Sequence, residues 1–136
     1  MSDKKAVMLP VVAGVVIKKD GKYLLVQENK KTNYGLYNWP AGKVDEGESI
    51  EETAIREAKE EVGVDVKLIR KIDIFQANIS LPARHAFEAE ITNGEPQAQE
   101  GQVLSVGWFT PDEMRAMKDK LRSEWVLEAM EMMESK

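Results

Sequence analysis

The sequence predicts an α/β fold in which helices flank a central mixed β-sheet. Three observations favour it: alternating runs of β-branched residues, two helix starts marked by capping boxes, and an amphipathic C-terminal segment. The order of elements is strands, helix, strands, helices, without an internal repeat or a dividing linker. Because the chain has 136 residues, we expect a single domain over residues 1–136.

The first predicted elements are the two strands of a hairpin. Residues 11–18 form a β-branched run, Asp20 and Gly21 give a tight-turn signal, and the apolar pattern resumes over residues 23–26. The polar residues 29–38 predict a surface loop.

The first helix is expected to begin at a capping box of Ser49 and Glu52, and to end at Gly63. Beyond it, residues 64–79, 83–91 and 103–109 have the alternation and the β-branched content of strands.

A second capping box, of Thr110 and Glu113, begins another helix. From residue 122 onward, the spacing of Val126, Met130 and Met133 predicts a terminal amphipathic helix. Its methionine-rich face either packs in the core or forms the surface of a homodimer, because flexible methionines suit adaptable interfaces.

Composition excludes several classes of function. The chain lacks cysteine, which excludes disulfides, zinc–thiolate sites and a cysteine nucleophile. His85 is the single histidine, so a metal site built on two histidines is excluded as well. The net charge of −5 argues against a partner that is a long nucleic acid or an anionic membrane.

The start of the chain resembles a signal peptide only faintly. Lys4 and Lys5 precede an apolar run over residues 6–17, but that run contains Pro10 and lacks a convincing cleavage site. It is also too short to span a bilayer, which takes about 20 residues. We therefore expect a buried strand in a cytoplasmic protein.

The first helix concentrates negative charge on one side. With about 100° of rotation per residue, Glu60 and Glu61 lie about 60° and 40° to either side of Glu57. The three carboxylates therefore share an arc of roughly 100°. The adjoining arc is apolar and is expected to face the sheet; its members are Ala54, Ile55, Ala58 and Val62.

This crowding destabilises the helix by itself, by roughly 0.2–0.5 kcal/mol per pair of like charges. Arg56 offsets part of that cost, since it can pair with Glu52 and Glu60, each four residues away. One arginine does not neutralise three acids, whereas a divalent cation does. A site made of oxygen ligands alone indicates Mg²⁺ or Mn²⁺.

The spacing around these acids separates them from an ordinary solvated helix face. Gly42 is followed after five residues by Glu48, and after seven more by Arg-Glu-Ala-x-Glu-Glu-x-Gly-Val over residues 56–64. A chance match in a chain of this length is on the order of one in ten million. The pattern resembles the signature of the Nudix hydrolases at every defining position, and the flanking sequence is similar over the whole chain.

The resemblance implies a Nudix-type α/β/α sandwich and the hydrolysis of a diphosphate linkage in a nucleoside diphosphate joined to another group. It implies that Glu57, Glu60 and Glu61 bind the metal and that Arg56 orients them. Glu48 would likewise orient the metal-binding carboxylates, and Gly42 and Gly63 would allow the turns on either side of the helix.

Two acids are candidates for the general base. Glu57 is one of them, and Glu100 is the other, since it precedes a strand much as a late metal-binding glutamate does in relatives resembling MutT. Glu100 is equally well explained as one acid in a polar loop.

Substrate identity is open at this stage. Tyr34, Tyr37, Phe75 and Arg84 are candidates to stack on a base or to reach a phosphate, although each also suits an ordinary core or surface position. Nucleoside triphosphates, ADP-ribose and nucleotide sugars all fit as small-molecule substrates. Ala41 stands where the family more often has glycine, which weakens any transfer of substrate identity.

Two functions from different classes follow. The first is a Mg²⁺- or Mn²⁺-dependent diphosphohydrolase, whose family members are often dimers. The second is a non-catalytic Nudix-fold domain that senses a nucleotide or binds a partner protein. The retention of all three helix glutamates favours the enzyme.

Overall fold

The computed structural model describes residue 6 and residues 8–136, and Lys4 and Lys5 lie outside this part of the chain. The elements, in chain order, are β1 (Val11–Val16), β2 (Lys18–Lys19), β3 (Lys22–Glu28), β4 (Tyr37–Asn38), β5 (Ala41–Lys43), α1 (Ile50–Val62), β6 (Asp65–Phe75), β7 (Ala83–Asn93), β8 (Val103–Phe109), α2 (Pro111–Ala116) and α3 (Trp125–Glu134). Short 3₁₀ turns cover Lys31–Asn33 and Lys118–Lys120.

The strands form two sheets. The first is mixed, with the order β5-β1-β7-β6, and β1 runs parallel to β7 while the other pairs are antiparallel. The second is antiparallel and is built on β3, which pairs with β2 and β4 along one side and with β8 along the other.

The predicted hairpin is correct only at its tip. Asp20 and Gly21 form the turn, with φ angles of 52° and 78°, and they connect β2 to β3. The preceding strand divides at Ile17, so that β1 enters the mixed sheet instead of pairing with β3. The division follows from burial, because both faces of β1 are covered and its run of apolar residues continues through Ile17.

Several predicted boundaries differ from the structure, and the strand predicted at 83–91 continues to Asn93. The loop predicted at 29–38 ends in β4, and the strand predicted at 64–79 ends at Phe75. It ends there because the side-chain oxygen of Asn78 accepts from the backbone N–H of Ser80, at 2.9 Å, and turns the chain. The terminal helix begins at Trp125 rather than at 122, since the Arg122 N–H donates to the carbonyl of Tyr37 at 2.7 Å.

Helices cover both sides of the sheets, which confirms the predicted α/β/α arrangement. One cluster of buried residues joins α1 to the sheets through Ala54, Ala58 and Val62. The other joins α2 and α3 to the opposite faces through Met114, Trp125, Val126, Ala129, Met130 and Met133. The methionine face of α3 is therefore largely core, with Met132 alone of its methionines exposed.

One residue of the predicted apolar arc is placed differently. Ile55 is 41% exposed, whereas Ala54, Ala58 and Val62 are fully buried. The helix is rotated so that Glu57 and Glu61 share its inner side with those three residues. Two of the three clustered acids therefore face the protein interior.

No helix in the described part of the chain combines the length and the apolar character that crossing a membrane requires.

Candidate active site

The helix that carries the acids is fixed at both ends as predicted. Ser49 accepts from the backbone N–H of Glu52 at 3.0 Å, and Glu52 accepts from the N–H of Ser49 at 2.9 Å. Gly63 ends the helix with φ of 77°, and its N–H donates to the carbonyl of Lys59. Because Glu52 serves in this cap, the predicted pair between Glu52 and Arg56 is wrong, and Arg56 is directed elsewhere.

Arg56 is held by Glu48 and by the backbone. Its Nε donates to Glu48 Oε2 at 2.6 Å, and its Nη2 donates to Glu48 Oε1 at 3.0 Å, which is the bidentate pairing of guanidinium and carboxylate. Nη2 also donates to the carbonyl of Lys43 at 3.1 Å. These contacts lower the pKa of Glu48 to about 2, mainly through Arg56 and then through the hydroxyl of Thr53.

The remaining nitrogen of Arg56 bridges two of the clustered acids. Its Nη1 donates to Glu57 Oε1 at 3.0 Å and to Glu60 Oε2 at 3.1 Å. Arg56 therefore donates hydrogen bonds to three carboxylates at once.

The three helix acids differ in exposure. The side chain of Glu60 is 44% exposed, whereas Glu57 and Glu61 are buried. Burial raises the pKa of Glu57 in spite of the attraction of Arg56. Burial, and then the charge of Glu57, raise the pKa of Glu61 to about 9. Within the described residues, burial therefore disfavours the ionised forms of the two carboxyl groups on the inner side of α1.

Strand β5 lies directly against these acids. The backbone N–H of Ala41 donates to Glu61 Oε1 at 3.0 Å. A Cβ atom on Gly42 would overlap the carboxyl group of Glu57. Gly42 is therefore required for close approach of the carboxylate to the strand, which gives the predicted motif glycine a specific physical role.

A fourth acid, Glu28 at the end of β3, was missed by sequence reasoning. It is buried, it accepts from Asn38 Nδ2 at 3.0 Å, and its charge contributes to the raised pKa of Glu61. Asn38 in turn accepts from the indole Nε1 of Trp125 at 3.0 Å. The register of β3 shifts between Gln27 and Glu28, so simple alternation along the strand could not have located this acid.

The predicted substrate residues fall into two groups. Phe75 and Arg84 line one cavity between the end of β6 and the start of α3. Tyr34 is 64% exposed in the loop before β4. Tyr37 packs edge-to-face on Phe109, with ring centroids 5.3 Å apart. Neither tyrosine is among the residues that line that cavity.

Glu100 lies at an exposed turn before β8. The preceding segment contacts the end of α1, where the N–H groups of Gln97 and Gln99 donate to the carbonyls of Val62 and Glu61. Within the described residues, the Glu100 carboxylate takes part in neither an ion pair nor a side-chain hydrogen bond with the helix acids.

The donor set suits a hard divalent cation. Glu57, Glu60 and Glu61 supply carboxylate oxygens alone, and two of them are buried with raised pKa values, so a positive charge beside them is stabilising. Over residues 8–136, no three acidic or histidine side chains already stand together as a chelating set. Glu57 and Glu60 share Arg56, and Glu61 binds the backbone of β5.

The family model and the curated proteins that match this chain indicate the same family. A family model described as NUDIX domain matches residues 8–129. Putative nudix hydrolase 1 of Caenorhabditis elegans is 34% identical over 116 residues, which is 82% of this chain and 32% of that protein. CTP pyrophosphohydrolase of Escherichia coli is 33% identical over 109 residues, which is 78% of each chain.

Solved structures agree on the fold. The structure described as NUDIX hydrolase from Nitrosomonas europaea superposes with a TM-score of 0.84 at 28% identity, covering 94% of this chain and 90% of that one.

Three of the matching curated proteins are longer, and this chain spans 32% to 63% of their length.

The burial of Glu61 predicts how stability depends on pH in the absence of divalent cations. The unfolded state loses this proton near pH 4.5, whereas the folded state keeps it until about pH 9. Stability therefore falls as pH rises through that window, by at most about 1.4 kcal/mol per pH unit. Urea unfolding in the presence of a chelator, from pH 5 to pH 9, measures this slope.

Glu61→Gln is the matched variant, because its amide keeps an acceptor for the Ala41 N–H without carrying a charge. We expect its stability to vary less with pH than that of the parent chain. Equal slopes for the two proteins would contradict the role given to Glu61.

The close approach of Gly42 to Glu57 predicts a coupling between them. Gly42→Ala should destabilise the protein by about 1–3 kcal/mol, because the added methyl overlaps the carboxylate. In a Glu57→Ala background most of that cost should disappear, since the overlapping group has gone. A double-mutant cycle on urea unfolding measures the coupling, and the same cost in both backgrounds would refute the contact.

Proposed function

Because this chain belongs to the Nudix family, we propose that it hydrolyses a diphosphate linkage in a nucleoside diphosphate joined to another group. We propose further that Glu57, Glu60 and Glu61 hold the Mg²⁺ or Mn²⁺ ions on which this reaction depends. Nucleoside triphosphates, ADP-ribose and nucleotide sugars are the substrate classes under consideration.

One observation carries the proposal. Glu57 and Glu61 are buried side by side on α1, with pKa values raised by burial and, for Glu61, by the charge of Glu57. A chain that needed α1 only for packing would gain stability by replacing these acids with apolar residues of similar volume. Their retention beside an exposed Glu60 is explained by a function that needs negative charge at this position.

A bound Mg²⁺ or Mn²⁺ would neutralise the diphosphate oxygens and lower the pKa of a water nucleophile. The contribution of the protein is to hold carboxylates in a fixed arrangement. Arg56 does so through Glu48 on one side and through Glu57 and Glu60 on the other. Arg56 and Glu48 are therefore positioning residues, whose removal would let the acids rotate away.

For the general base we favour Glu57 over Glu100. Burial raises the pKa of Glu57, and this residue lies within the acid cluster, where a water beside the diphosphate would stand. Glu100 is exposed at a turn and has no hydrogen bond to that cluster within the described residues.

The relatives named as phosphohydrolases support the reaction class without fixing the substrate. CTP pyrophosphohydrolase of Escherichia coli is 33% identical to this chain, and the putative 8-oxo-dGTP diphosphatase of Bacillus subtilis is 34% identical. We propose that the cavity lined by Phe75 and Arg84 receives the part of the substrate that lies beyond the diphosphate.

The test replaces Glu60, the exposed member of the cluster, with glutamine. We expect kcat to fall by about 100-fold or more, because a cation ligand is lost while the fold keeps its buried contacts. Glu51→Gln is the control, since Glu51 is an exposed acid on the same helix. Activity is measured with Mg²⁺ and with Mn²⁺ on a panel of nucleoside triphosphates, ADP-ribose, dinucleoside polyphosphates and nucleotide sugars.

Thermal unfolding should be nearly the same for both variants. Equal turnover of Glu60→Gln and Glu51→Gln on a substrate that the parent chain hydrolyses would refute the role given to Glu60.

A further inference from the structure

A cavity of about 440 Å³ opens between the end of β6, the start of β7 and the start of α3. We call it the arginine pocket and define it by Phe75, Arg84, Arg122, Ser123 and Trp125. Two of these residues are aromatic, two are guanidinium groups and one is a hydroxyl. Both arginines line the same small cavity, and the charge of Arg122 acts on Arg84.

The two arginines lack the partners that the other arginines have. Arg56, Arg70 and Arg115 each form ion pairs with carboxylates. Within the described residues, neither Arg84 nor Arg122 forms one. Burial, and then the charge of Arg122, hold the pKa of Arg84 below its usual value. The protein thus keeps two repelling cations together in a half-buried position.

A second, independent observation concerns Ser123. Its Oγ atom is buried and, over the described residues, has no hydrogen-bond partner. An unsatisfied buried hydroxyl costs about 1–3 kcal/mol, and such groups in native structures call for an explanation. Ser123 lines the same cavity as the two arginines, and a rotation of its side chain would be needed to turn the hydroxyl toward a ligand held between them.

The two aromatic residues of the pocket already have partners within the protein. The indole Nε1 of Trp125 donates to Asn38, and Phe75 packs edge-to-face on Trp125 with ring centroids 6.5 Å apart. Two carboxylates, Glu124 and Glu128, also border the cavity, and both are exposed. The groups of the pocket that suit an anion are two guanidinium forks and a hydroxyl, and the two exposed carboxylates reduce the net positive charge around them.

We propose that the arginine pocket binds a phosphate monoester carried by the substrate in addition to its scissile diphosphate. A phosphate monoester has three terminal oxygens, which match two guanidinium groups and one hydroxyl, and its two negative charges offset those of Arg84 and Arg122. That the ligand belongs to the substrate rests on the proposed function. The substrate class is then a nucleoside diphosphate derivative that bears a separate phosphate.

Hydrogen bonds and the charge of Glu28 link the wall of the arginine pocket to the acid cluster. Trp125, which forms its wall, binds Asn38, and Asn38 binds Glu28, whose charge acts on Glu61. The proposal places the diphosphate of the substrate at the acids and its additional phosphate between the arginines.

The first experiment measures binding without hydrolysis. Inorganic phosphate is titrated into the isotopically labelled protein with a chelator present, and amide and indole resonances are followed by NMR. We expect saturable shifts at Ser123 and at the Trp125 indole, and an affinity at least about 10-fold weaker in Arg84→Gln and in Arg122→Gln. Lys120→Gln, an exposed lysine close in sequence, is the matched control and should bind like the parent chain.

Arg84→Lys keeps the charge without the fork, and it should bind phosphate more tightly than Arg84→Gln. Because Arg84 is half-buried, thermal unfolding is recorded for every variant, and Arg122→Gln carries the test if Arg84→Gln does not fold. The proposal is overturned if phosphate leaves the Ser123 resonance unmoved, or if adenosine, which has no phosphate, moves the same resonances equally.

The second experiment compares two dinucleotides that differ by one phosphate monoester, NADP⁺ and NAD⁺. We expect kcat/KM to favour NADP⁺ by about 10-fold or more in the parent chain, and the preference to be lost in Arg122→Gln. Glu60→Gln should hydrolyse neither dinucleotide and still bind inorganic phosphate.

The two proposals fail in different ways. If phosphate binds at Ser123 but no member of the substrate panel is hydrolysed, the proposed function falls and the phosphate site stands. If both dinucleotides are hydrolysed equally, and Arg122→Gln does not alter their ratio, the phosphate site falls and the proposed function stands.

Discussion

The guanidinium of Arg56 holds together the acids on which the rest of the site depends. It pairs with Glu48 through two nitrogens and bridges Glu57 and Glu60 through the third. Without it, carboxylates on adjacent turns of α1 would repel one another next to a sheet that cannot solvate them. The capping box at Ser49 fixes the start of the helix, so Arg56 lies where its fork can reach Glu48.

Tertiary packing also determines where the acids of α1 lie, independently of Arg56. Glu57 and Glu61 lie on the inner side of α1 because Ala54, Ala58 and Val62 are drawn into the core on the same side. Gly42 leaves room for the Glu57 carboxylate, and the Ala41 N–H binds Glu61. The chain thus expends stability to keep ionisable acids in a buried position, which is the usual sign of a functional site.

Local signals allowed much of this arrangement to be predicted from the sequence. Capping residues, the left-handed Gly63 and the spacing of the glutamates act over a few residues, so α1 and its acids could be placed correctly. Pairing between segments that are distant in sequence could not be predicted from such local signals. The short strand β5, the division of the first strand at Ile17 and the loss of the Glu52–Arg56 pair depend on which segments meet in three dimensions.

The difference between local signals and long-range contacts also explains which site residues were not predicted from the sequence. Glu28, Asn38 and Trp125 are far apart in sequence and form one hydrogen-bonded chain only after folding. Arg84 could be suggested as a phosphate contact, but its neighbour Arg122 could not, because the loop before α3 brings them together. Alternation along β3 does not locate Glu28 either, because the register of the strand shifts between Gln27 and Glu28.

The central claim is that the acids of α1 take up a divalent cation, and direct titration with Mn²⁺ followed by electron paramagnetic resonance tests it most simply. The account predicts saturable binding of Mn²⁺ by the parent chain and by Glu51→Gln, and binding at least about 10-fold weaker in Glu57→Gln. Binding of equal strength in all three proteins, or no binding to the parent chain in the presence of a diphosphate, would contradict it.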